Sequence, residues 1–404
     1  MRVVVIVMML VVVMLGHEAR TFAEAARMFT RETQRGQTPD AIAQDSVGHA
    51  PARPYRESVS IYFVETEDSE RDFFEQAFPD REIAFVGGLD EVGEDAEVLC
   101  VFLSAKVDEE FLAAHPRLQF VCTRSHSTDH LDLKALAARE IVVKNVGSYS
   151  DSSVAEHTFA LILSLSRRLR EVMAATKAPT RFSYEETRAF DLCGRTIGII
   201  GMGHIGQRVA SLAHAFQMKV IACDVQTPED IARTLQFDFV PLDELLVRSD
   251  IISLHATLSS RTYHILNRET FARCKPGAIV INTARGALID TAALREALES
   301  GHLGGAGLDV LQDERVLRDT ASHIITDDII KHLRSDALAG EARDAERVRE
   351  LEELMLADAV LQRQNVVFTP HVAFNSIEAV ARRNQLTVER IEAWFAGRTL
   401  NRVE

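Results

Sequence analysis

The stretch Thr196–Asp224, TIGIIGMGHIGQRVASLAHAFQMKVIACD, leaves the chain few folds to choose from. Thr196–Ile200 is a short run rich in β-branched residues, the composition of a buried strand. Gly201, Gly203 and Gly206 follow at the spacing G-x-G-x-x-G. From about His204 to Ala215, the apolar residues Ile205, Val209, Leu212 and Ala213 recur at helical intervals. Lys219–Asp224 is a second apolar strand, ending in an acid 18 residues after Gly206. Strand, tight turn, helix and strand in this order form a βαβ unit and imply a parallel sheet.

Each part of the unit has a physical task. Gly201 permits the sharp turn off the strand. Gly203 lets the backbone approach a pyrophosphate, and Gly206 lets the helix pack close to the sheet. The helix start at His204 and Ile205 offers unpaired N–H groups and a positive dipole end to phosphates. Asp224 can accept hydrogen bonds from both ribose hydroxyls and would repel a 2′-phosphate, so the unit points to NAD rather than NADP.

At 404 residues the chain can hold two domains with ordinary cores. A net charge of −15 argues against nucleic acid or an anionic membrane surface as the main partner, so an anionic ligand must be held by local groups. The five cysteines, Cys100, Cys122, Cys193, Cys223 and Cys274, show no zinc spacing and no disulfide framework. Cys100, Cys122 and Cys223 lie in apolar runs and read as buried free thiols, which fits a reducing cytoplasm. Val3–Leu15, an unbroken apolar run of 13 after Met1-Arg2, leaves three readings open: a dispensable or mis-started extension, an exported chain's signal segment, or a membrane tether.

Read in order, residues 1–57 form an N-terminal extension, with a short helix at Arg20–Thr33 and a polar linker beyond it. From Ser58, strands at Val59–Val64, Ile83–Val86, Val98–Leu103, Phe120–Arg124 and Ile141–Asn145 alternate with helices, among them Ser69–Phe78, and make a small α/β domain. Val154–Leu169 reads as one long apolar helix connecting it to the nucleotide unit. Further strands follow at Ile251–His255, Ala278–Thr283, Ala306–Val310 and Val366–Thr369, and a helix at Thr291–Ser300 starts on Asp290 and stops at Gly301. The charged interval Arg315–Asn365 reads as solvated surface helix, particularly Glu341–Leu361, and Ser376–Phe395 is a closing helix. The expected fold class is α/β, with two Rossmann-like domains of parallel sheets flanked by helices.

Polar residues gather at strand ends, where this architecture binds ligands: His255, Arg285, Asp309 and His371. Arg285, just past a strand in NTARG, can hold a carboxylate bidentately and polarise a keto oxygen. His371 follows Thr369-Pro370 and is expected to be presented on a fixed, extended approach as the base for a hydroxyl proton, and the acid in reverse. Glu314 would favour its imidazolium form. Asp309 is expected at the nicotinamide carboxamide. No metal is required, because side chains serve as both proton acceptor and electrophile. Together these groups suit oxidation of a 2-hydroxy acid.

With these residues in view, the chain from about Ser58 to Arg398 resembles the D-isomer-specific 2-hydroxyacid dehydrogenases, nearest the D-lactate dehydrogenase branch. The resemblance is carried by TRSHSTDHLD at 123–132, NVGSYSDSSVAEHTFAL at 145–161, GIIGMGHIG at 198–206, NTARGALID at 282–290, GAGLDVLQDE at 305–314 and TPHVAFNS at 369–376. It implies Arg285, Glu314 and His371 as the catalytic trio. It implies Tyr149 as a substrate contact and Ser125–Thr128 as the loop whose backbone binds the substrate carboxylate. Thr283 joins Gly201, Gly203, His204, Ile205, Gly206, Asp224, His255 and Asp309 as expected NAD contacts. The resemblance further implies that Ser376–Arg398 folds back onto the first domain. The substrate domain is then 58–153 with 376–404, the NAD domain is 154–375, and the assembly is a homodimer through the latter.

The departures from the family pattern fall in loops. The usual loop glycine is Ser127, preceded by His126, for which two readings stand open: a reach to the substrate, or simple exposure to solvent. Thr257 and Arg315 stand where prolines are usual. Glu314 argues against a formate-type oxidation on the same scaffold. An NAD-sensing binding protein of corepressor type is the alternative from a different class, since such proteins can keep the trio.

Overall fold

Alternation of strand and helix builds two separate parallel sheets. The computed structural model describes residues 60–176, 183–185, 187–312 and 355–398. The extension 1–57, residue 314 and the charged interval up to residue 354 lie outside the described residues.

The first sheet holds β1 (Ser60–Val64), β2 (Glu82–Val86), β3 (Val98–Val101), β4 (Phe120–Thr123) and β5 (Val142–Asn145), in the order β2-β1-β3-β4-β5. The second holds β6 (Thr196–Ile200), β7 (Lys219–Cys223), β8 (Asp238–Phe239), β9 (Ile251–Leu254), β10 (Ala278–Asn282), β11 (Leu303–Leu308) and β12 (Val366–Phe368), in the order β12-β11-β10-β9-β6-β7-β8. Every strand pair is parallel. Helices cover both faces, so β3, β4, β9 and β10 are buried along their whole length and read as apolar runs rather than alternating ones. In the second sheet the order reverses at β6, the strand that leads into the glycine turn.

Two helices place the chain relative to these sheets. Helix Asp151–Ser166 packs Ala155, Phe159, Leu161 and Ile162 with Ile197 and Ile199 of β6. It covers most of the connector expected at Val154–Leu169; Arg168, at φ 50°, then ends it, and a separate helix runs Leu169–Ala175. Helix Ile377–Phe395 returns to the first sheet: Ala379, Val388, Ile391 and Trp394 pack with Ile61, Phe63 and Phe120, and Trp394 stacks on Phe120 at 5.3 Å. Asp290 caps its helix by accepting from the Ala293 N–H, and Gly301 stops it at φ 72°. Cys100, Cys122 and Cys274 are buried free thiols, whereas Cys223, at the carboxyl end of its strand, is only half-buried.

Beneath the carboxyl edge of the first sheet lies a buried ion triad. Glu70 accepts from Arg124 at 3.2 Å and from Arg383 at 2.5 Å, and all three side chains are nearly inaccessible. Arg124 also donates to the carbonyls of Val64 (3.1 Å) and Glu65 (2.6 Å). Burial opposes the ionised form of Glu70, but the two guanidinium groups outweigh it and hold the carboxyl below its ordinary range. Removing Glu70 would leave two uncompensated buried cations. Glu70→Ala should therefore lose about 3–5 kcal/mol of stability in urea titration. A loss under about 1 kcal/mol would show that the triad is not held as described.

His255 follows β9, and burial pushes its imidazole down to about 3. Its Nε2 is 2.8 Å from Ser253 Oγ. Its folded-state value lies below the ordinary 6.5, so between the two the unfolded chain binds the extra proton. The stability contributed by neutral His255 is present above pH 6.5 and is lost as pH falls toward 3. From pH 7 to 5, His255→Gln should lose about 2 kcal/mol less stability than the parent chain. Equal losses would contradict this.

Candidate active site

The glycine turn is shaped as its spacing requires. Gly201 sits at φ 96°, and a Cβ there would lie 2.5 Å from the His255 carbonyl carbon and the Ala256 nitrogen. A Cβ on Gly206 would lie 2.2 Å from the Gly201 oxygen, so the helix can approach the turn only without a side chain. A Cβ on Gly203 would meet nothing within 4 Å. Open space therefore lies over the N-terminus of helix His204–Ala215, as a pyrophosphate cradle needs. Ile205 is half-buried at this end. Asp224, just past β7, accepts from the Met202 N–H at 2.6 Å and the Gln226 N–H at 3.0 Å. It thus pins the glycine turn.

At the other strand ends the side chains fix loops. Asn282, fully buried, donates to the Arg285 carbonyl at 2.8 Å and accepts from the Ala284 N–H at 3.0 Å. This folds the loop that presents Arg285. The Thr283 hydroxyl is 3.0 Å from that of Thr158 on helix Asp151–Ser166. Arg285 donates from Nε to Asp129 at 3.0 Å and from Nη1 to the Ala284 carbonyl at 2.8 Å.

His371 is not on an extended approach. Its φ is 52°, in the left-handed region that a non-glycine residue seldom enters. Proline restrains the residue before it, here Thr369, and leaves His371 free to turn. The His371 N–H is drawn inward, 2.7 Å from the Asp309 carbonyl and 2.9 Å from that of Thr369. The Asp309 side chain holds the same loop. Its carboxylate accepts from the Thr369 hydroxyl (2.6 Å), the Val372 N–H (3.0 Å) and the Ala373 N–H (2.9 Å). His157 Nε2 stands 2.8 Å from the Thr369 hydroxyl and 3.5 Å from Asp309. Asp309 is completely buried, and its carboxylate is surrounded by the His371 loop.

The His371 ring meets Phe374 edge-on at 5.9 Å, and Phe374 in turn meets Tyr149 at 6.4 Å and Phe102 at 5.6 Å. Tyr149 is buried, with its hydroxyl pushed up chiefly by desolvation. The result is an aromatic wall beside the imidazole.

The loop after β4 is held from beneath. The Thr123 hydroxyl is 2.7 Å from that of Ser125 and 3.2 Å from His130 Nε2. Ser125 donates to the Ser127 carbonyl at 2.7 Å. The Ser127 hydroxyl accepts from the Asp129 N–H at 3.1 Å. Ser127 does not take a positive φ, so serine meets the backbone requirement where glycine is usual. His126 is exposed at the loop's rim, and desolvation, followed by the Arg285 charge, keeps its imidazole below the ordinary range.

Among the described residues, two polar side-chain contacts join the carboxyl edges of the sheets. One is Arg285 to Asp129. The other is His204, whose Nδ1 is 2.8 Å from the Ser148 hydroxyl and 3.5 Å from Asp151. Ser148 is itself left-handed, at φ 58°. His204 therefore faces the neighbouring sheet's loop as well as the turn. The structure thus gathers Arg285 with Asp129 and His126, His204 with Ser148, and His371 with Asp309 and the aromatic wall. Asp224 stands apart at the glycine turn, and Glu314 lies outside the described residues. Sequence reading missed Asp129, Asn282 and His157. All three lie inside or beside the matched stretches, but a carboxylate, amide or imidazole in a loop carries no spacing signal of its own. A groove of about 870 Å³ along β7 and β8, lined by residues such as His214, Arg233 and Arg248, contains none of these site residues.

Comparisons with known proteins bear on the family and the fold. Residues 159–324 match the family model "D-isomer specific 2-hydroxyacid dehydrogenase, NAD binding domain". A 2-hydroxyacid dehydrogenase homolog of Haemophilus influenzae is 33% identical over 318 residues, 77% of this chain and 87% of that protein. A glyoxylate reductase of Korarchaeum cryptofilum is 31% identical over 307 residues, 75% of this chain and 81% of its own. The crystal structure of D-lactate dehydrogenase from Aquifex aeolicus, complexed with NAD and lactic acid, superposes with a TM-score of 0.67 at 34% identity, covering 83% of this chain and 96% of that one. No helix among the described residues is long and apolar enough to cross a membrane. With its NAD-binding sheet, its glycine cradle and a strained histidine at the carboxyl edge, the chain belongs to the D-isomer specific 2-hydroxyacid dehydrogenase family, a family of NAD-dependent oxidoreductases.

Proposed function

We propose that this enzyme interconverts a small D-2-hydroxy acid and its 2-keto acid, in the manner of D-lactate dehydrogenase. The observation that carries the reading is the setting of His371. A left-handed backbone, anchored by a buried carboxylate, aims an imidazole from the strand edge beside a wall of Phe374, Tyr149 and Phe102. Such strain persists only where surrounding contacts hold it, and it gathers at functional sites. The wall suits a short apolar substituent on the reacting carbon.

In this reading the Arg285 guanidinium and the backbone N–H groups of residues 125–128 hold the substrate carboxylate. His371 takes the hydroxyl proton as the carbonyl forms, and returns it in the reductive direction. Glu314 stabilises the imidazolium so produced. Arg285 also draws charge onto the keto oxygen. Bound NAD supplies the acceptor for the hydride released from the carbon. Gly201, Gly203 and Gly206 with His204 and Ile205 cradle its pyrophosphate, Asp224 takes the ribose hydroxyls, and His255 and Thr283 line the crevice. His126 and Ser127 form the rim nearest the substrate carboxylate.

Two substitutions test this. Gly203 has φ −69°, which any residue adopts, and no protein atom stands where its side chain would grow. Gly203→Val should keep the melting temperature while weakening NADH binding by roughly tenfold or more, read by NADH fluorescence. Unchanged NADH affinity would remove the cradle from the site. His371→Ala should leave NADH affinity intact while kcat/KM for pyruvate or glyoxylate falls roughly 10²- to 10⁴-fold. NADH binding by the parent chain without turnover of any 2-keto acid would contradict the reading and favour a sensor.

A further inference from the structure

The guanidinium that is to hold the substrate is already held by a residue from the other sheet. Asp129 follows β4 and Arg285 follows β10, and their side chains meet at 3.0 Å through Nε of the arginine. As a source of stability this pair is of small consequence, because Asp129 is 65% exposed and Arg285 31%. Its geometry is another matter. The Arg285 loop is folded by Asn282, and Nη1 is tied to the Ala284 carbonyl. With Nε tied to Asp129 as well, two edges of the planar fork are anchored, and one of the anchors belongs to the opposite sheet. The unengaged N–H groups, those of Nη2 and the second of Nη1, then have a defined direction. Asp129 is in turn braced, since its N–H donates to the Ser127 hydroxyl within the loop expected to bind the substrate.

We propose that Asp129 is a positioning residue: by accepting the Nε–H of Arg285 across the junction of the two sheets, it aims the remaining N–H groups at the substrate carboxylate. This rests on the reaction proposed above. Arg285 reaches its working orientation only when the loop after β4 lies against it, so substrate grip and approach of the two sheets become one event. Without Asp129 the guanidinium swings on a single local anchor, and its fork no longer matches a carboxylate plane.

The test compares Asp129→Ala with Asp129→Asn in the full chain, using NADH and pyruvate as probes. The asparagine oxygen can still accept from Nε, whereas alanine offers nothing. Asp129→Ala should lower kcat/KM for pyruvate roughly 10- to 100-fold, and Asp129→Asn should restore most of it. NADH affinity should be unchanged in both. In a double-mutant cycle, adding Asp129→Ala to Arg285→Ala should lower activity no further. Wild-type activity in Asp129→Ala would overturn the inference, as would equal impairment of the two variants. Additive losses in the cycle, or loss of NADH affinity along with turnover, would also overturn it by assigning Asp129 to something other than Arg285. Absence of pyruvate turnover in the parent chain, with every other 2-keto acid also inert, would overturn the reaction reading itself. Turnover in the parent with an indifferent Asp129 would overturn the positioning role alone.

Discussion

The buried carboxylate of Asp309 is the constraint on which the active edge depends. It lies at the end of β11 with no access to water, where an unpaired charge would be prohibitive. It is satisfied by one hydroxyl and two backbone N–H groups of the loop after β12, and its own carbonyl takes the N–H of His371. The loop that meets those demands turns through a left-handed residue, and that residue is His371. The position of the imidazole is thus a consequence of burying an acid beneath it. His157, reaching Thr369 from helix Asp151–Ser166, closes the arrangement from behind.

A second constraint acts between the sheets. Each presents its strand ends to the other, and among the described residues polar contacts join them: Asp129 with Arg285, and Ser148 with His204. Charged groups exposed at such a junction add little stability. They do bring residues from distant parts of the chain to one edge. The return of helix Ile377–Phe395 to the first sheet, and the ion triad that ties Arg383 to Glu70 and Arg124, make the first sheet a firm support for its loops.

Much of this was legible in the sequence, for physical reasons. Strand positions followed from β-branched apolar runs, because strands buried on both faces cannot carry polar residues; β9 and β10 came within a residue of expectation. The turn at Gly201–Gly206 was legible because its steric demands admit little but glycine. The connector helix was legible from its apolar run and ends at Ser166, three residues before the expected Leu169, because Arg168 turns left-handed without a glycine or proline to signal the stop. The approach of His371 was misread because the proline beside it restrains only its predecessor, while the hydrogen bonds that turn it come from β11, some 60 residues away in sequence. Asp129 was passed over because its partner lies 156 positions away, on another sheet. Local chemistry can be read along a chain, but pairings made by tertiary folding cannot.

The central claim is that the His371 imidazole and the Arg285 guanidinium serve one bound substrate. A crystal structure of the chain with NADH and oxamate, an unreactive isostere of pyruvate, tests it most directly. The account predicts the oxamate carboxylate on Arg285 and the loop 125–128, with its carbonyl oxygen within hydrogen-bond reach of His371. Oxamate bound with His371 turned toward a separate cavity, or Arg285 remote from the carboxylate, would contradict it.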